Sequence, residues 1–362
     1  MSMTDDLLGD ERVGALLEAL EAASGGRRFE ATRETAAGLA ELTLSGRARA
    51  LAGGIARDVS GGHAQLAGIV RTALENPEFE GFALWPVGLA SARMALSEGT
   101  DEGFDSSLAL LGEMTKRFTS EFAVRPLLIH DLDRALDRMA AWTTDSDWRV
   151  RRLASEGTRP LLPWAERIPA LVADPAPTRP ILDALHDDAD ENVRRSVANH
   201  LNDHSRAHPA FAVEVVRGWS GGEHFERVAH HALRTLVKRG DAAALELLGF
   251  PPVSLAVSPL EVSPLRVATG GAIAFGAAVE NVGADPAPLV IDYVLSFPGA
   301  RGDERSKVFK IMRRTLGPGE RFEVRASHSF RPITTRRYYP GRYGVSLQIN
   351  GVPHPRTDFE LR

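Results

Sequence analysis

Up to about Phe250 the apolar residues recur every three or four positions, as in Val13, Leu16, Leu17 and Leu20, or Leu127, Leu128, Leu132 and Leu136. That is the period of one face of a helix, so the spacing predicts a succession of amphipathic helices. Ser60-Gly-Gly62, Ala173-Asp-Pro-Ala-Pro177 and Ser220-Gly-Gly222 interrupt it and read as inter-helix connections. Pro251-Pro252 closes the helical region, because proline donates no amide and disfavours helix at the residue before it. From Leu260 the pattern shortens to β-type runs: Ala272 to Asn281, Leu289 to Ser296, Arg321 to Ser329 and Tyr343 to Ile349. Asn350-Gly351 between two such runs is a hairpin signal. About seven short strands in the remaining length predict an immunoglobulin-like sandwich, and Tyr339-Pro-Gly-Arg-Tyr343 just before a strand has the form of its tyrosine corner. The expected organisation is therefore an all-α repeat domain over residues 1–250 and an all-β sandwich over 251–362.

A single pattern recurs through the helical region. Phe118-Thr-Ser-Glu121, Val150-Arg-Arg-Leu-Ala-Ser-Glu156, Val193-Arg-Arg-Ser-Val-Ala-Asn199 and Val228-Ala-His-His-Ala-Leu-Arg234 align with Glu121, Glu156, Asn199 and Arg234 in register, at spacings of 35, 43 and 35 residues. Such periods with helical patterning inside each unit predict a HEAT- or armadillo-like solenoid, whose aligned polar groups line one face of a superhelix. A cation stands four positions before each of the first three groups: Arg117, Arg152 and Arg195. Positions i and i+4 share a helix face, so each repeat is expected to pair a cation with a polar group. A single such pair on a solvated face contributes little, about 0.3–0.5 kcal/mol. Recurrence in register instead points to a functional groove, to which Asp203 adds a third carboxylate and Trp164 an aromatic plate. Carboxylates, an aromatic and flanking arginines together suit a cationic ligand held against an anionic polymer. Asp203 has an alternative reading as the cap of a following helix.

Composition narrows the classes. There is no cysteine, so neither a disulfide framework nor a thiolate zinc site is available. The acidic start and the lack of an apolar run approaching about 20 residues argue against a signal peptide or a spanning helix and make the cytoplasm the expected location. The net charge of −5 hides a division: residues 251–362 hold 15 Lys/Arg against 10 Asp/Glu, whereas residues 1–110 hold 9 against 17. Residues 111–250 are nearly balanced, so a basic groove there must come from placement. His130, His186 and the pair His230-His231 lack the partner spacing of a metal site. Ser120 and Ser155 have no paired histidine, and Ser24-Gly-Gly-Arg-Arg28 matches no phosphate loop.

Three motifs carry a resemblance: Arg117-Phe-Thr-Ser-Glu-Phe-Ala-Val-Arg-Pro126; Trp148-Arg-Val-Arg-Arg-Leu-Ala-Ser-Glu-Gly-Thr-Arg-Pro160 with Leu162-Pro-Trp164; and Asn192-Val-Arg-Arg-Ser-Val-Ala-Asn-His-Leu-Asn-Asp203. Over essentially the whole helical domain the chain resembles the AlkC branch of the HEAT-like-repeat alkylpurine DNA glycosylases, some of which append an immunoglobulin-like domain. The resemblance implies a monofunctional glycosylase that removes cationic methylated bases such as 3-methyladenine and 3-methylcytosine from duplex DNA without flipping them, leaving an abasic site. It implies Glu121, Glu156 and Asp203 as catalytic carboxylates, Trp164 as the wall beside the lesion, and Arg152, Arg159 and Arg195 as holders of the DNA backbone or of the acids. No metal or cofactor is called for, because methylation already makes the base a good leaving group; carboxylates can stabilise charge on the sugar and deprotonate water.

In the basic tail Lys310, Arg313, Arg314, Arg331, Arg336 and Arg337 suit either a solvated surface or contact with the DNA backbone, and the resemblance favours contact; with Lys238 they are then expected to give sequence-independent, salt-sensitive affinity. A monomer is expected, associated with the nucleoid when on DNA. The competing reading is a non-enzymatic HEAT-type scaffold binding protein or nucleic acid; a generic DNA groove, however, would avoid carboxylates facing phosphate.

Overall fold

The computed structural model describes residues 3–219, 221–299, 303–332 and 338–362. Among these described residues α-helices run from Met3–Leu8 to Ala242–Leu247, and ten strands follow between Leu255 and Leu361. The apolar stripes read from the sequence face inward: Val13, Leu16, Leu17 and Leu20 are buried, as are Leu127, Leu128 and Leu136. Leu132 is not in the same helix as Leu127. Asp131 breaks the run between Arg125–His130 and Leu132–Ala141 and caps the second helix through the Arg134 amide at 3.1 Å.

The repeat is clearest in two helices, Trp148–Gly157 and Glu191–His204, which pack against each other. Each starts from an aspartate: Asp147 accepts from the Arg149 amide at 2.8 Å and Asp190 from the Asn192 amide at 2.7 Å. Each has a buried valine three residues after that cap, Val150 and Val193. The other two aligned segments depart from the expectation. Phe118–Glu121 forms no helix, and Arg234 begins the short helix Arg234–Arg239 instead of ending the one before it.

The chain divides into two compact units, Met1–Ala232 and Leu233–Arg362. The first consists of HEAT-like helical repeats. The division falls earlier than the change of periodicity at Pro251, because the last two helices pack with the strands. Gly240 closes one of them with φ 75° and lies so near the Asn350-Gly351 turn that a β-carbon on it would come within 2.5 Å of the Gly351 carbonyl oxygen. Asn350 Nδ2 donates to the carbonyls of Pro251 and Pro288, both at 2.9 Å.

The strands are β1 (Leu255–Val257), β2 (Glu261–Ser263), β3 (Arg266–Val267), β4 (Ala272–Asn281), β5 (Ala287–Pro298), β6 (Glu304–Leu316), β7 (Arg321–Ser329), β8 (Gly341–Ile349), β9 (Val352–Pro353) and β10 (Thr357–Leu361). One sheet places β1 and β2 along one side of β4 and β7 along the other; the second runs β3-β10-β8-β5-β6, with β9 hairpinned on β8. Inward residues such as Phe275, Val279, Ile291, Leu295, Val345 and Leu347 form the core of an immunoglobulin-like sandwich. Asn350 and Gly351 have φ 44° and 79°, as a type I′ turn requires. Tyr343 is fully buried and its hydroxyl donates to the Tyr339 carbonyl at 2.8 Å, closing the expected tyrosine corner. β6 escaped the sequence reading. Its Arg305, Lys307, Lys310, Arg313 and Arg314 are all exposed on an edge strand, where charge guards against pairing with another chain.

Candidate functional site

Glu121 lies in the turn between the helices Asp101–Met114 and Arg125–His130. A helix continuous through this stretch would set the ring of Pro126 against the carbonyl of Phe122. Proline is instead accommodated at the start of the new helix, where its missing amide has no role. The Ser120 hydroxyl fixes the turn by donating to the Leu111 carbonyl at 2.8 Å. The expected Arg117–Glu121 pair therefore does not form; Arg117 donates to the carbonyls of Leu74 and Pro77. Glu121 Oε2 takes its hydrogen bonds from Thr119 Oγ1 at 2.7 Å and, from the next repeat, Arg152 Nη1 at 3.0 Å.

Glu156 occupies the last turn of Trp148–Gly157 and is only 6% exposed. Its Oε1 accepts from Arg159 Nη1 at 2.6 Å, with Arg152 Nη2 3.6 Å away, so here the i,i+4 pair does form. Its Oε2 accepts from Ser196 Oγ at 2.6 Å, across the stack of the two repeats. Arg159 is buried and also donates from Nε to Asp203 Oδ2 at 2.9 Å. One guanidinium thus ties two carboxylates together. Of the two roles expected for Arg159, this geometry supports holding the acids. Asp203, 5% exposed, belongs to the last turn of Glu191–His204 and caps no following helix; the next one has His208 at its start. Burial pushes its carboxyl above the usual aspartate range, against the opposing pull of Arg159.

Three carboxylates from three successive repeats are thereby joined through Arg152 and Arg159. Among the described residues Glu121 Oε1 and Asp203 Oδ1 accept no hydrogen bond, and neither is sealed from solvent. Those two oxygens are open to a water or to positive charge.

Trp164 is 64% exposed and holds φ at 64°, a left-handed backbone that a bulky side chain rarely adopts. Its loop is held from below by Arg125, a residue the sequence reading passed over. Arg125 is 1% exposed and donates to three carbonyls: Gly157 at 3.2 Å, Arg159 at 3.0 Å, and Glu166. These carbonyls flank Trp164 on both sides, so a single buried cation gathers the loop and presents the tryptophan at its tip. Burial, with Arg159 nearby, pulls the Arg125 guanidinium down to about 10.

The remaining expected residues are more dispersed. Arg195 is exposed and donates to Asn192 Oδ1 at 2.6 Å, not to Asn199. Asn199 engages His231 at 3.0 Å and stands apart from the carboxylates' hydrogen bonds. In the second unit, Lys238, Arg313 and Arg314 are exposed; Arg313 lies over the Phe250 ring, and Arg314 over Phe322 while bonding Glu320. Arg336 and Arg337 lie outside the described residues. Ser196 and Thr119 join the site unannounced. All three had a signal, since Thr119 and Arg125 fall within the first of the three quoted motifs and Ser196 within the third. Among the described residues no group of three His, Asp or Glu is placed to hold a metal ion, and no helix is long and apolar enough to cross a membrane.

Residues 256–362 match the family described as "Uncharacterised protein YhaZ, C-terminal Ig-like domain". The protein YhaZ of Bacillus subtilis (strain 168) is 39% identical over 261 residues, covering 71% of this chain and 72% of its own. The solved structure of the Pseudomonas fluorescens alkylpurine DNA glycosylase AlkC, bound to DNA containing an abasic site analogue, superposes with a TM-score of 0.84 at 32% identity, covering all of both chains. Helical repeats, β-sandwich and sequence agree over the full length, and the chain belongs to the AlkC family of alkylpurine DNA glycosylases.

Proposed function

We propose that the protein is a DNA repair glycosylase that hydrolyses the N-glycosidic bond of cationic alkylated bases, 3-methyladenine and 3-methylcytosine, in duplex DNA and leaves an abasic site. The observation that carries this reading is the trio Glu121, Glu156 and Asp203, drawn from successive repeats and held by Arg152 and Arg159, with two open carboxylate oxygens. As the C1′–N bond breaks, its electron pair neutralises the cationic base, and positive charge grows on the deoxyribose. Carboxylates facing the sugar stabilise that charge. A water then bonds to C1′ and gives its proton to a carboxylate. Asp203, with its raised pKa and an open Oδ1, is suited to take it.

The base is expected to be attacked without being swung out of the duplex. The cavity beside Trp164 is about 60 Å³, well short of the ~150 Å³ that admits a benzene ring. Exposed Trp164 is suited to lie against the lesion from the groove. Lys238, Arg313 and Arg314 are proposed as backbone contacts supplying salt-sensitive affinity.

The test is release of free base from methylated duplex DNA, separated by chromatography, for the intact protein and for Glu156→Gln. Glutamine keeps an acceptor for Arg159 and removes the charge, so excision should fall on the order of 10²–10³-fold with DNA binding retained. No release by the intact protein, with binding intact, would refute the glycosylase reading and favour a binding scaffold.

A further inference from the structure

A second cluster of charge lies beside Trp164, in a cavity that Arg125 also lines. The helices Leu44–Asp58 and Leu84–Glu98 pack together and each contributes one arginine to this cavity, Arg49 and Arg93. Both are exposed, and neither makes a hydrogen bond or ion pair among the described residues. Ser45 stands one turn before Arg49, within the first turn of its helix, where backbone amides lack helical partners. Arg125 lines the same cavity, and its Nη2 is buried with no hydrogen-bond acceptor among the described residues. Against three guanidinium groups the lining offers one carboxylate, Glu166. Uncompensated like charge of this kind is costly, and desolvation with the Arg49 charge lowers the Arg93 pKa.

The geometry points to a phosphate clamp: Arg49 and Arg93, with the Ser45 end of their groove, grip one backbone phosphate of the duplex close to the lesion that Trp164 faces. This rests on the glycosylase reading for the identity of the polymer. An anion is required by the charge, since the same guanidinium groups repel a cationic base. Size favours a small anionic group such as a backbone phosphate, since the cavity is too small for a ring system. The fork of each guanidinium can donate to two phosphate oxygens at once. The clamp would fix the register of the backbone relative to the Trp164 loop. Arg125 contributes by binding the Gly157, Arg159 and Glu166 carbonyls, so the loop and the clamp share one buried anchor.

The experiment compares the full chain with Arg49→Gln, Arg93→Gln, the double variant and the double lysine variant, using duplexes carrying an abasic-site analogue. Affinity is measured over a salt titration, and again with single phosphates around the lesion replaced by neutral methylphosphonates. Each glutamine should weaken binding on the order of tenfold. The double variant should lower the salt slope by about 0.9, the value for one phosphate, with the lysines restoring most of it. One methylphosphonate position should weaken the intact protein and leave the double variant indifferent. An unchanged slope, or no position coupled to the two arginines, overturns the clamp. So does inorganic phosphate protecting both arginines from modification while duplex affinity is unmoved, because the cleft then serves a free anion. Base release is scored separately, so a working clamp without excision would count against the glycosylase reading alone.

Discussion

Replacing Arg159 by glutamine removes the one side chain that ties Glu156 to Asp203. Its Nη1 and Nε reach the two carboxylates at 2.6 and 2.9 Å, and all three groups are nearly sealed from solvent. Glu156 keeps Ser196 and the more distant Arg152, whereas Asp203 loses the hydrogen bond that Arg159 donates. Breaking a buried pair from one side costs about 3–5 kcal/mol, which for a unit of this length lowers Tm by roughly 6–20 °C. The loss depends on pH. The folded pKa of Asp203 already lies above its ordinary value, and removing Arg159 raises it further. A group with a raised folded pKa carries no penalty below its unfolded value and acquires one as pH rises through the folded value. The variant should therefore be closest to the parent in acid and furthest from it above neutral pH. Thermal unfolding followed by circular dichroism between pH 5 and 8 measures this. Duplex affinity against salt, taken below the lowered Tm, gives the companion result: the slope should not change, because Arg159 faces acids and not phosphates. A Tm within about 1 °C of the parent together with a slope lowered by about 0.9 would refute the structural role and restore Arg159 to the DNA interface.

Other perturbations separate the remaining roles. Trp164→Gly removes an exposed side chain from a left-handed backbone position, so stability should shift by no more than about 0.5–1 kcal/mol while base release drops; a marked fall in Tm instead would make Trp164 a packing residue. His204 is buried and its pKa is depressed to about 4, chiefly by desolvation. Below an unfolded value of about 6.5 the unfolded chain binds the extra proton, so the helical unit should lose up to roughly 3 kcal/mol as pH falls towards 4; a flat stability profile over that window refutes the assignment. Asp292 on β5 has the opposite sign. Burial lifts its carboxyl to about 6 despite Lys310, Lys238 and Arg313, so the sandwich is penalised as pH rises through 6. Asp292→Asn should then stabilise at pH 8 by up to roughly 3 kcal/mol and by nothing at pH 3.5; equal denaturant midpoints of parent and variant at both pH values would exclude it.

The sequence alone determined what depends on neighbours along the chain. Period-four and period-two patterning separated helices from strands, and β4 and β7 begin and end where their runs do. Asn350-Gly351 specified its turn because left-handed backbone at both positions is a local requirement, and the Tyr343 corner closes over only four residues. The repeat at Val150 and Val193 was legible for the same reason, as each copy carries its own cap and core residue. The candidate carboxylates were named, and with them Arg152 beside Glu156 and Arg159 as a holder of the acids or the backbone, but the partners of Glu121 and the Ser196 contact were not. The register that aligned Arg117 with Glu121 assumed a helix that Pro126 forbids, and the cation that reaches Glu121 comes from the next repeat. Which side chains meet across a stack of repeats depends on the rotation between helices, which no single helix encodes. Tertiary structure alone therefore decided that Arg159 is enclosed between acids, that Arg125 supports the Trp164 loop, and that Ser196 serves Glu156. The same holds for β6, whose charged residues give no apolar alternation and which became a strand by pairing with β5, and for the last two helices, which join the β unit through close approach at Gly240 and Gly351.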